Sequence, residues 1–352
     1  MKKLLFIFIS SFFIFHFGYA QKNVDIDNLK YQATYKVSPQ KPQTPLFFYF
    51  NTKVNLESSQ IKNNVNTESL EKELSIEGQR KTTDLDKAKM TLEISLYDFI
   101  ISEVNVKEYS QENKDKSRKY WYKLSVVYNV PSEYKILEGE DVLKSKSYKE
   151  GVLGGAKKEY DHSSSFNSNR DANEYWKNNR ESLSSKFIKG AASELARNAS
   201  YDASFNYGFR TIVDKGNLKT TDEKKHPENL PFQEKTNALK KAFEAMTPEV
   251  GLDISKMTDI IEYYQSIPEK YTDPKLKADR KLRYASYYNL CLLYLYAENL
   301  DKAEEYAELI IANDYDPKDG EKLKKSITNF RENLGRTIVG RTHFDGNEFF
   351  EN

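Results

Sequence analysis

The sequence predicts an α+β N-terminal domain, an antiparallel sheet with one long helix, followed by an all-α domain of helical hairpins. Three observations carry that expectation. Period-two alternation of apolar and polar residues recurs from about residue 28 to 215, as in half-buried strands. One thirty-residue stretch inside that region, 171–200, instead repeats its small and apolar residues at helical spacing. Beyond a polar segment at 215–231, the helical period takes over completely.

The elements follow in order. Residues 46–54 (LFFYFNTKV) are bulky and β-branched, come after Pro42 and Pro45, and read as a strand entering a core. Thr67–Leu74 fits a short helix capped by Asn66. Residues 90–106 place Leu92, Ile94 and Leu96 on one face and change phase near Phe99, which marks a bulge or bend. Lys107–Arg118 is polar and is expected as the loop of a long hairpin, with Tyr120–Val130 as the returning strand. Residues 134–137 and 142–148 flank Glu138-Gly139-Glu140-Asp141, a turn between two short strands. The helix 171–200 takes Asp171 as its cap, and Gly190 weakens its middle by about 1 kcal/mol. Phe205, Tyr207 and Phe209 alternate and are expected as one more strand. Helices are then expected at 232–246, 255–267, 275–297, 300–313 and 318–334, with short Pro-, Asp- or Asn-bearing connections that make neighbours antiparallel. The domain reading is 1–20 leader, 21–215 α+β domain, 216–231 linker, 232–335 helical domain and 336–352 tail.

The leader is a secretory signal: Lys2 and Lys3, then the apolar run Leu4–Phe17, then Gly18-Tyr19-Ala20 before a cut ahead of Gln21. The run is shorter than the ~20 residues of a spanning helix. No Cys follows the cut, since the only one is Cys291, so a lipid anchor of the bacterial kind is excluded. A single Cys also rules out an internal disulfide framework or a thiolate zinc site. The chain carries 54 basic and 53 acidic residues, and 52 against 53 once the leader's two lysines are removed. That balance gives no general attraction to nucleic acid or an anionic membrane. A periplasmic or secreted protein without stable membrane insertion is expected.

Residues 284–317 carry a repeat-like pattern. Leu290, Cys291 and Tyr294 stand on one helix, with Cys where a Gly is usual. Ala303 and Tyr306-Ala307 stand on the next, and Pro317 closes the unit. In this pattern the stretch resembles a tetratricopeptide repeat over about a tenth of the chain. The resemblance implies a helical scaffold that binds protein partners and implies no chemistry.

Chemistry-bearing residue types form no recognised set. His162, His226 and His343 lie far apart, with no H-E-x-x-H and no i,i+4 pair. Asp161-His162-Ser163 are adjacent, whereas a triad is assembled from separated positions. Gly151–Ala156 lacks the Lys-Ser/Thr ending of a phosphate loop. Cys291 sits on an apolar helix face, where thiols are inert packing. Carboxylate pairs such as Asp222-Glu223 and Glu304-Glu305 read as surface charge. Among the aromatics, Tyr122 and Tyr120 share the core-side face of their strand, while Trp121 lies on the opposite one.

The expected function is therefore a non-catalytic interaction or scaffold protein with no cofactor and no metal, docking a protein partner through its helices. Tyr263, Tyr287, Asn289 and Tyr294 are the candidate contacts. Two alternatives remain: a hydrolase of an envelope polymer with a carboxylate site in the α+β half, and a carbohydrate-binding module stacking sugars on Trp121 or Trp176.

Overall fold

The computed structural model describes residues 24–148, 158–222, 224–336 and 339–350. The elements are β1 (Ile26–Val37), β2 (Tyr49–Leu56), α1 (Ser59–Asn64), α2 (Thr67–Glu73), β3 (Arg80–Lys81), β4 (Ala88–Leu96), β5 (Ile100–Glu112) and β6 (Arg118–Asn129). They continue with β7 (Ser132–Glu138), β8 (Asp141–Ser147), β9 (Lys158–Asp161), α3 (Asn169–Tyr207), β10 (Arg210–Thr221) and α4 (Asn229–Glu244). The chain ends with α5 (Thr258–Lys270), α6 (Lys277–Tyr296), α7 (Leu300–Ala312) and α8 (Pro317–Gly335), and short 3-10 turns precede α5 and close the tail. An α+β part followed by helices is the architecture.

The chain divides into two compact units, Met1–Thr34 with Val213–Arg331, and Tyr35–Ile212 with Glu332–Asn352. The second holds a five-stranded sheet, ordered β3-β2-β4-β7-β8, and a three-stranded antiparallel sheet, β5-β6-β9. The five-stranded sheet is mixed. β2 runs parallel to β4 and β3, while β7 and β8 are antiparallel. A parallel join needs a crossover, and the segment carrying α1 and α2 provides it.

The phase change near Phe99 separates two strands in different sheets, β4 and β5. Met90, Leu92 and Ile94 of β4 face Phe187, Ile188, Leu195 and Ala199 of α3 in one buried cluster with Leu124, Val126, Tyr134 and Ile136. Burying each large apolar side chain stabilises this layer by about 1.5–3 kcal/mol. Alanines at 192, 196, 199 and 203 let the helix approach closely. At the β7–β8 turn, Gly139 takes φ +59, the left-handed conformation in which a Cβ is costly.

Local differences from the sequence expectation have identifiable causes. The strand expected from Leu46 begins at Tyr49; Leu46 and Phe47 instead enter a small aromatic cluster. The polar segment 107–118 is mostly paired strand. Cross-strand pairs such as Lys107↔Lys123 and Gln111↔Lys119 extend the hairpin, leaving 113–117 as the loop. Ser168 rather than Asp171 caps α3, its Oγ accepting from the Asp171 N–H at 3.1 Å, and the Asp171 carboxylate sits in the first turn where the helix dipole favours it. Phe205 and Tyr207 finish α3 rather than start a strand. Asn66 caps α2 as expected, accepting from Ser69 N at 2.7 Å.

Residues 216–231, expected as a linker, hold the end of β10 and the start of α4. The tail is built into the second unit: Lys36 N–H donates to Thr342 O at 2.8 Å, and Phe47 stacks on Phe209 at 4.7 Å and on Phe349 at 4.3 Å.

In the first unit, β1 and β10 form a two-stranded sheet beside α4–α8. Helices appear where the 3.6-residue period places them. Pro268 lies inside α5 instead of ending it. A proline cannot donate to the carbonyl four residues back, and the freed Tyr264 O accepts the Ser286 hydroxyl of α6. α6 is the central rod, with Leu282, Ala285, Leu290, Cys291, Leu293 and Tyr296 buried. The connection from α6 to α7, residues 297–299, is too short for anything but an antiparallel hairpin. Ala303 and Ala307 are wholly buried on α7. No helix among the described residues is long and apolar enough to cross a membrane. The expected leader 1–20 and the segment Gly151–Ala156 lie outside the described residues.

Candidate functional site

The four contacts expected on the helices have different surroundings. Asn289 is fully buried on α6. Its Oδ1 accepts from Lys219 N at 2.8 Å, and its Nδ2 donates to Lys219 O at 2.8 Å and to the Tyr264 hydroxyl at 3.0 Å. The carboxamide is spent on the β10 backbone, so Asn289 is a structural residue and not a surface contact. Tyr294 is 8% exposed, and its ring stacks on Tyr306 at 5.6 Å with planes 5° apart. Tyr287 is half-buried, 6.3 Å from the same Tyr306 ring. Tyr263 is half-buried and donates to Glu228 Oε2 at 2.8 Å; Tyr271 reaches the other oxygen at 3.3 Å and Lys270 lies 3.6 Å away. Burial and that carboxylate push the Tyr263 phenol well above its ordinary pKa.

One arrangement in this unit escaped the sequence reading. The Lys219 ammonium lies 4.7 Å from the Tyr288 ring centre and 5.5 Å from that of Tyr284. It also lies 3.6 Å from Asp319, to which Tyr284 donates at 2.7 Å. The cage is filled by the chain's own lysine. Nothing flags it in the sequence, because Lys219 falls in a segment read as linker.

The groups tested for chemistry stay apart. Cys291 is buried, and burial pushes its thiol up to about 12. The half-buried His162 lies against Phe166 at 5.1 Å and Tyr175 at 4.6 Å, while its neighbour Asp161 faces Lys107 at 3.5 Å. His226 is buried beside Tyr271, and its Nδ1 accepts from Glu228 N at 3.2 Å. His343 is buried next to the Thr342 hydroxyl. Glu304 pairs with Arg331 at 3.0 Å and Glu305 with Lys302 at 2.7 Å. In the α+β half, Asp202 is held by the Tyr134 hydroxyl and by Lys144 at 2.8 Å. Among the described residues no group of His, Cys, Asp and Glu is placed to hold a metal ion.

The far half of the β5–β6 hairpin carries a group of aromatic residues at the surface. Tyr109 and Trp121 stand directly opposite on one face, ring centres 6.0 Å apart and planes 11° apart. The Lys123 ammonium lies 5.7 Å from the Tyr109 ring, and the pairing puts Lys119 and Gln111 on the same face. Tyr109 is 39% exposed and Tyr120, on the opposite face, 47%. Tyr120 shares the parity of the core residues Leu124 and Val126, as its position implies, yet it stays exposed because the hairpin runs on past the core. Tyr122 keeps the hairpin anchored, exchanging backbone hydrogen bonds with Phe166 at 3.0 and 2.8 Å. Trp176 is half-buried like Trp121, but it packs against the main core.

No protein-family model matches the chain, and no curated protein matches it in sequence.

Proposed function

We propose that this chain is an exported, non-catalytic interaction protein that docks a protein partner on the aromatic face of the β5–β6 arm. The observation that carries the reading is the Tyr109–Trp121 pair: two large parallel rings, Tyr109 exposed and Trp121 half-buried, rimmed by Lys119 and Lys123. Ordering costs little there, because the cross-strand pairing already fixes both side chains. Rigid aromatics beside cations suit a partner patch that is apolar and acidic. The helical unit serves as scaffold in this reading. Its tetratricopeptide-like α6–α7 hairpin, with Ala303 and Ala307 at the close approach, supports that role without supplying the contact. The basic start, apolar run and small-residue cut before Gln21 support export to the periplasm or beyond.

The test is recovery of partner from envelope extract by the wild-type chain and by the double variant Tyr109→Ala/Trp121→Ala. Loss of recovery with an unchanged thermal midpoint is expected. A second reading, stacking on sugar rings, is favoured by the 11° angle between the two rings. Quenching of Trp121 fluorescence by a neutral oligosaccharide, with no protein retained by the arm, would select it instead.

A further inference from the structure

We propose, on the reading that the Tyr109–Trp121 face docks protein, that its partner is a second copy of this chain, engaged through the reverse face of that copy's β5–β6 arm. The arm is the paired stretch from Lys107↔Lys123 to Glu112↔Arg118, and it lies within one compact unit. It runs past the core, so side chains on both of its faces reach solvent. Tyr109 on one face and Tyr120 on the other are both exposed.

Charge is sorted by face. Strand alternation puts Lys119, Trp121 and Lys123 of β6 with Tyr109 and Gln111 of β5 on the first face. It puts Glu108, Ser110 and Glu112 of β5 with Tyr120 and Tyr122 of β6 on the second. Arg118, also on the second face, lies 3.9 Å from Glu112. Lys107, also on the first, is matched by Glu159 and by Asp161 at 3.5 Å. The first face is thus aromatic and basic, the second aromatic and acidic. First against first would oppose lysines, and second against second would oppose carboxylates. The favoured contact is first against second.

Side-chain size agrees with charge. Two such ribbons stack about 10 Å apart with their strands aligned. With the second arm reversed, β6 of one copy lies over β5 of the other. The pairing register then sets Lys119 over Glu108 and Lys123 over Glu112 of the second copy. Trp121, the largest side chain of the first face, falls over Ser110, the smallest of the second. Tyr109 falls over Tyr120, ring on ring. Lys107 falls over Arg118, but the two acids beside Lys107 leave that corner net negative. The surfaces that meet are different ones, so each copy keeps one free face and association continues past two copies.

The test is sedimentation velocity of the purified full chain, from about 1 μM to about 0.5 mM, a span that captures weak interfaces. Species larger than one copy are expected to grow with concentration and to recede with added salt. Tyr109→Ala/Trp121→Ala removes the first face and Tyr120→Ala/Glu112→Lys the second; an unchanged circular dichroism spectrum confirms that each variant is folded. Either variant alone is expected to associate about tenfold or more weakly than wild type. Mixed in equal amounts, the two are expected to form a dimer and nothing larger, because each keeps the face that the other lacks. A wild type that stays monomeric, a variant that associates like wild type, or a mixture without a dimer would overturn the proposal. If wild type is monomeric while Tyr109→Ala/Trp121→Ala still loses its envelope partner, self-stacking falls and the docking reading stands.

Discussion

Asn289 commits both ends of its carboxamide to the backbone N–H and C=O of Lys219, at 2.8 Å each, and is itself fully buried. Truncating it leaves the part-buried Lys219 N–H without a partner and the Lys219 C=O with only the Thr236 hydroxyl at 3.4 Å. At about 1–3 kcal/mol for the orphaned N–H, Asn289→Ala is expected to lower stability by about 1–3 kcal/mol, read as a lower urea midpoint. A change under 0.5 kcal/mol on the same measurement would show that water replaces the amide. The sequence places Asn289 on a helix but not on a face, because its partner lies seventy residues earlier in a strand read as linker. The tyrosines were ambiguous for a related reason. Tyr294 and Tyr287 both turn to Tyr306 of α7, and only the α6–α7 packing decides that.

Among the elements, the helices of the C-terminal half were legible because each carries its own repeating apolar stripe, as with Leu323, Ile327 and Phe330 on α8. Strand ends were less so. Polar residues 107–112 look like loop, yet they pair along an exposed hairpin where no core enforces alternation. Two helical glycines make opposite expectations. A Cβ on Gly190 of α3 meets nothing within 4 Å, so Gly190→Ala should raise stability by about 0.5–1 kcal/mol through backbone entropy. On Gly320 of α8 the same Cβ would sit 2.6 Å from Ile311 Cγ1 and 2.8 Å from Ala307 O. Relieving that contact forces α7 and α8 apart at a cost of about 1–3 kcal/mol, which exceeds the propensity gain. Thermal midpoints of the two variants should therefore move in opposite directions, and a rise for both would contradict the close approach of α7 and α8.

For the whole molecule, tyrosine burial sets an alkaline limit. Burial raises Tyr97 and Tyr288 to about 12, and the Cys291 thiol likewise. Unfolded phenols titrate near 10 and an unfolded thiol near 8.5. The folded pKa is the higher one, so stability is full below about pH 8.5 and falls as pH rises toward 12, because only the unfolded state releases its protons. Urea midpoints should drop steadily between pH 9 and 11.5, in step with tyrosinate absorbance on unfolding; a flat profile would mean that these rings are solvated. The fold class was legible from composition and period. The candidate site was legible only in part: Trp121 was marked by its parity against Leu124, but its partner Tyr109 lay in the stretch read as loop. The most direct test is partner recovery by wild type against Tyr109→Ala/Trp121→Ala, matched for thermal midpoint. An interaction protein that docks through its arm loses its partner in the double variant; undiminished recovery would place the docking surface elsewhere.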